Sequence, residues 1–116
     1  MSVEAVPGGC GGVRVLRARG ELDVAVAPDL LPRVPELVAG ADAVVLDLAQ
    51  VAFLDSSGVR LVNRFARECG GRGVPFVVVA PPGGITRRVL EIVGFGPPLV
   101  LDDLAAAVAA VRAASA

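Results

Sequence analysis

The chain has 116 residues and a mass of 11.7 kDa, which fits one domain able to bury its own core without a metal or disulfide staple. It contains no His, and all eleven of its basic residues are Arg, which excludes Ser-His-Asp and Cys-His nucleophile systems, Schiff-base lysines and a Walker lysine. A net charge of −1, a pI near 5.3 and the absence of Trp and Tyr argue against nucleic acid or anionic lipid as partners and point to proteins instead.

Residues 2–6 and 13–19 are β-prone stretches joined by Pro7-Gly8-Gly9-Cys10-Gly11-Gly12, whose glycines allow the positive φ of a tight reversal and predict a hairpin. That loop has neither the G-x-G-x-x-G spacing nor a Lys, so a plain turn is favoured over a phosphate cradle. Gly20-Glu21-Leu22-Asp23 ends the second strand. Ala27-Pro28-Asp29 reads as a helix start, with Pro28 suited to the first turn. Pro32 and Pro35 then fall inside that helix, where a lost backbone bond and a ring clash cost about 3 kcal/mol each. A kinked or late-starting helix ending near Ala39-Gly40 is expected.

Residues 43–48, rich in Val and Leu, predict a strand buried on both faces. From Ser57 to Cys69 the period becomes helical, with Leu61, Val62, Phe65, Ala66 and Cys69 on one side and Arg60, Asn63, Arg64, Arg67 and Glu68 on the other. Gly70-Gly71 is the expected stop. Residues 75–80 form another apolar strand, closed by Pro81-Pro82-Gly83-Gly84. In the next helix Ile85, Val89, Leu90 and Val93 supply the apolar face, Thr86, Arg87, Arg88 and Glu91 the polar face, and Gly94 the end. A short strand at residues 99–101 leads to an Ala-rich helix capped by Asp102-Asp103 and reaching about Ala114. Strands alternating with helices predict an α/β fold with a mainly parallel or mixed sheet.

Cys10 and Cys69 make neither a disulfide framework nor a zinc site, because neither has a second ligand at metal spacing. Residues 1–7 lack a basic or long apolar stretch, and no run of about 18 apolar residues occurs anywhere, so a cytoplasmic protein without direct membrane insertion is expected.

Asp55-Ser56-Ser57-Gly58 falls between a buried strand and the start of an amphipathic helix. First-turn N–H groups lack intrahelical partners, so Asp or Ser side chains cap them, and a phosphate there would meet the positive end of the helix dipole. By composition alone the segment is ordinary capping chemistry.

The run VVLDLAQVAFLDSSGVRLV, with GELD before it and an apolar strand and an ITRRVLEIVGF helix after it, is similar to STAS domains, specifically the bacterial anti-sigma factor antagonists. The resemblance spans about residues 13–112 and rests on GELD at 20–23, LDL at 46–48, DSSG at 55–58 and a helix ending in Val-Gly-Phe, in that order. It implies a single STAS domain over residues 1–116, with a central four- to five-stranded mixed β-sheet flanked by about four α-helices. It also implies a non-catalytic partner switch that needs no cofactor. The unphosphorylated antagonist binds an anti-sigma factor, often itself a serine kinase, and so frees the sigma factor. The kinase then phosphorylates the second serine of DSSG, here Ser57, and a serine phosphatase restores binding.

On that resemblance Ser57 is the phosphate acceptor, Ser56 its neighbour and a candidate cap, and Asp55 the carboxylate that positions the turn and opposes the phosphate. Gly58 is expected to keep the backbone approachable, and Asp23, from GELD, to contact the partner near the same face. Arg60, Arg64 and Arg67 are candidate contacts with the kinase. Pro32 and Pro35 depart from the family pattern in the first helix. The alternative role within the family is a non-catalytic STAS subunit of a lipid-transport ATPase complex or a stressosome-like scaffold. An enzyme using Cys10 or Ser57 as nucleophile would lack a His or Lys base.

Overall fold

The structure is a computed structural model that describes residues 2–5, 12–22, 27–96 and 98–115. Five strands form one sheet in the order β1-β2-β3-β4-β5: β1 (Ser2–Ala5), β2 (Val13–Leu22), β3 (Ala43–Leu54), β4 (Phe76–Val79) and β5 (Val100–Leu101). β1 is antiparallel to β2, as the expected hairpin requires, while the pairs β2–β3, β3–β4 and β4–β5 are all parallel. The loop carrying Cys10 lies outside the described residues. Its last glycine, Gly12, has φ +84°, and its carbonyl accepts the Asp42 N–H at 3.0 Å, which ties the hairpin to the entrance of β3.

Successive side chains of a strand point to opposite faces, so a strand covered on both sides reads as an unbroken apolar run. Residues 43–48 of β3 are all buried. Val44, Leu46 and Leu48 enter one core, and Ala43 and Val45 enter a second with Val13, Val15, Val77 and Val79. The first core is covered by α1 (Ala27–Leu30), α2 (Val34–Val38), α3 (Ser56–Gly71) and α4 (Ile85–Ile92), through Leu30, Val34, Val38, Leu61, Phe65 and Leu90 among others. The second is covered by α5 (Leu104–Ser115), through Ala107 and Val111. Asp103 caps α5 by accepting the Ala106 N–H at 2.8 Å, whereas Asp102 pairs instead with Arg87 at 2.9 Å.

The kink expected from the prolines is present. The first helix breaks into α1, a 3-10 turn over Leu31–Arg33 and α2, with Pro32 and Pro35 each in the opening positions of a new piece, where the missing N–H costs least. Three expectations need correction. β3 runs six residues past Leu48, to Leu54. α3 passes through Gly70 and Gly71 and stops at Arg72-Gly73, because glycine permits a positive φ without imposing one and the reversal falls at Gly73 (φ +69°). α4 is rotated from its predicted face: Thr86 and Arg87 are buried, while Ile85, Ile92 and Val93 are exposed by 66%, 75% and 49%. In this orientation the Thr86 hydroxyl donates to the Val51 carbonyl (3.2 Å) and Arg87 Nη1 to the Ala80 carbonyl (2.9 Å), so that both buried polar side chains are bonded.

The Phe65 ring, fully buried, stacks parallel to Phe76 with centroids 6.3 Å apart and links α3 to β4. Phe65→Ala is expected to lower stability by about 3–5 kcal/mol, read as a shift of the urea midpoint at unchanged slope. Burial, reinforced by the Glu68 carboxylate and opposed by the Arg72 guanidinium, pushes the Cys69 thiol up to about 11. In a Cys10→Ser chain at pH 8, Cys69 should therefore react with a thiol reagent only as fast as the protein unfolds; rapid labelling of the folded chain would contradict its burial.

Candidate functional site

The site is carried by the part of β3 that outruns the sheet. β4 pairs only with residues 44–47 of β3, so from Leu48 onward the strand is held by β2 alone. Two register slips lie in this stretch, between Arg17 and Arg19 and between Gly20 and Glu21 on β2. At the first slip the buried Asp47 carboxylate pairs with Arg17 Nε at 3.3 Å and accepts the Ala49 N–H at 3.0 Å. A bulge takes one residue out of the ladder, and this carboxylate supplies the acceptor that the displaced amide needs. Beyond it Val51 and Leu54 turn inward, and α4 covers the strand through the Thr86 hydroxyl.

The chain leaves β3 at Leu54 and is already helical at Ser56. Between them Asp55 is extended (φ −105°, ψ −169°), and its carboxylate accepts the N–H groups of Ser57 at 2.8 Å and Gly58 at 3.2 Å. Its carbonyl accepts the Val59 N–H at 3.0 Å. Asp55 is therefore the N-cap, and Ser56, expected as a candidate cap, is an exposed first helical residue. Ser57 follows it, half-buried. Gly58 is buried beneath the helix start, which corrects the expectation that it leaves the backbone open to approach.

Arg60, Arg64 and Arg67 project from the exposed side of α3, as its periodicity predicts. Arg64 Nη1 lies 3.2 Å from Glu68, whose other carboxylate oxygen takes Arg72 at 2.8 Å. Asp23 lies outside the described residues. The structure thus brings Asp55, Ser56, Ser57 and Gly58 together at one helix start, with the arginines running away from it along the same helix. Sequence reasoning missed Phe53, which the β3 extension leaves 45% exposed two residues before the cap. Its neighbours Val51, Ala52 and Leu54 gave no alternation that would have marked it as outward-facing.

Among the described residues no group of three or more Cys, Asp or Glu side chains could hold a metal ion, and no helix is long and apolar enough to cross a membrane. Removing the cap with Asp55→Ala should cost about 1 kcal/mol of stability, and Asp55→Asn should retain most of it, as measured by thermal unfolding. Equal losses in the two variants would mean that capping is not what the side chain contributes.

A family model described as the STAS domain matches residues 7–107. The anti-sigma-F factor antagonist RsfB of Mycobacterium tuberculosis is 38% identical over 84 residues, covering 72% of this chain and 67% of that protein. The crystal structure of an anti-sigma factor antagonist from Mycobacterium paratuberculosis superposes with a TM-score of 0.81 at 31% identity, over 96% of this chain and 95% of that one. The antagonist SpoIIAA in its unphosphorylated form gives 0.76 at 23% identity, over 97% of both chains. Its phosphorylated form, from Bacillus, gives 0.67 at 22%, over 89% of this chain and 92% of that one. The chain belongs to the STAS domain family and, within it, to the anti-sigma factor antagonists.

Proposed function

We propose that residues 1–116 act as one cytoplasmic STAS domain, an anti-sigma factor antagonist switched by phosphorylation at Ser57. Unphosphorylated, it binds its anti-sigma factor across the start of α3 and so releases the sigma factor. A serine kinase, in the simplest arrangement the anti-sigma factor itself, modifies Ser57, and a serine phosphatase removes the phosphate. Ser56 and Phe53 border the same surface, and Asp23 is a further contact in this reading. The identity with RsfB supports the antagonist role over a transport-complex subunit or a scaffold.

The observation that carries the reading is that the α3 cap is already occupied. Asp55 holds the amides of Ser57 and Gly58, so a phosphate on Ser57 cannot take those N–H groups without displacing a carboxylate. The phosphate adds about −1.5 to −2 charge and three acceptor oxygens beside that carboxylate, which drives it outward. A partner surface packed against the helix start, and bringing no cation of its own, would have to desolvate this group at a cost of several kcal/mol. Each 1.4 kcal/mol is about tenfold in affinity, so exclusion needs no refolding of the domain.

The test is phosphorylation by serine kinases of the same genome, with the modified residue located by mass spectrometry, followed by calorimetric titration with the anti-sigma factor. Ser57→Ala should bind like the unmodified chain and ignore the kinase, and Ser57→Asp should bind at least about tenfold more weakly. Equal affinities for the two variants, or a phosphate elsewhere on the chain, would overturn the proposal. Amide exchange across Ser56–Gly71 should be unchanged by phosphorylation. Loss of protection there would replace exclusion with local unfolding.

A further inference from the structure

The chain as a whole carries a net charge of −1, yet the outer face of α3 is basic. Arg60, Asn63, Arg64 and Arg67 line a shallow cleft of about 290 Å³ whose other wall is Leu31, from the 3-10 turn. Among the described residues no carboxylate lies within ion-pairing distance of Arg60 or Arg67, and the acid within α3, Glu68, is shared by Arg64 and Arg72. α3 has no acidic residue in its first turn, its N-terminal carboxylate being the cap, Asp55.

We propose that this face is the docking surface for an acidic helix of the partner, whose carboxylates pair with Arg60, Arg64 and Arg67 and whose apolar side chain rests on Leu31. The proposal rests on the antagonist reading and deepens it by giving the partner's chemistry. The arginines follow i, i+4, i+7 spacing over about 10 Å of helix, which matches acids at the same spacing on a second helix. Guanidinium groups suit this role because each can grip a carboxylate through two parallel N–H bonds.

The geometry also gives the phosphate a second way to act. At about 100° per residue, Ser57 and Arg64 point within about 20° of each other, and Arg60 and Arg67 lie within about 80° of Ser57. Ser57 therefore heads the basic stripe. Along α3 and its two caps, Arg60, Arg64, Arg67 and Arg72 against Asp55 and Glu68 leave a surplus of two positive charges, which a phosphate of about −2 offsets. The modified stripe no longer attracts an acidic helix, and at physiological salt the repulsion is felt over about 8 Å.

The test compares the wild-type chain, Arg60→Glu/Arg67→Glu, Arg60→Lys/Arg67→Lys and Ser57→Asp in binding kinetics with the purified anti-sigma factor at rising salt. Both arginines are exposed, so the variants should fold, which circular dichroism melts check. The charge-reversed variant should associate at least about tenfold more slowly, with a flattened salt dependence, and the Lys variant should keep most of the on-rate. Reversing acids on one partner helix to Lys should restore binding to the Glu variant. If the Glu variant binds like wild type while Ser57→Asp binds weakly, the acidic-helix proposal falls and the antagonist reading stands. If no chain binds the anti-sigma factor, both fall.

Discussion

The burial of β3 on both faces is the constraint from which the remaining architecture follows. A strand with Val44, Leu46 and Leu48 on one side and Ala43 and Val45 on the other needs a helical layer against each face, and right-handed parallel crossovers place α1 to α4 on the first. The same strand has a second half that no longer obeys the pattern. Past Asp47 it loses β4, keeps only β2, and changes register twice. The rigid half anchors the strand, and the freed half carries the chain to Asp55 and the start of α3.

Polar side chains do much of the work at this transition. Asp47 stabilises the bulge, Thr86 bonds to the buried Val51 carbonyl that no β4 residue reaches, and Asp55 closes the helix start, each replacing a backbone bond that the geometry forbids. Because the cap is satisfied internally, the hydroxyl of Ser57 is not needed to hold the helix together. Chemistry on that hydroxyl can alter the surface while leaving the scaffold's hydrogen bonds in place. A domain that switches partners benefits from this separation, since the bound and released forms can share one fold.

Most of the fold was legible because its signals are local: the Val-rich runs at 43–48 and 76–79, the helical period from Leu61 to Cys69, and the prolines that break the first helix. The candidate site was legible as a capped helix start, and the ordered GELD, LDL and DSSG motifs gave it a family. What was not legible depends on contacts between distant residues. The rotation of α4 goes with a bond from Thr86 to a carbonyl 35 residues earlier, a partner that the apolar pattern of Ile85 and Val93 does not reveal. The six extra residues of β3 depend on pairing with Arg19 to Leu22 of β2, and Ala49-Gln50 carries no β signal of its own. Gly70-Gly71 misled because flexibility in a residue type does not locate the bend; the return of Val74 to the Cys69 carbonyl at 2.9 Å does.

The two margins of the sheet are short. On one side β1 offers four residues, and on the other β5 offers two, between a turn and the Asp103 cap of α5. Unpaired strand margins are templates on which further chains can stack, and brevity is one of the ways proteins blunt them. The longer unpaired stretch among the described residues, 48–54 of β3, lies under α4; an antagonist whose associations must stay reversible gains from a perimeter that offers so little to polymerisation.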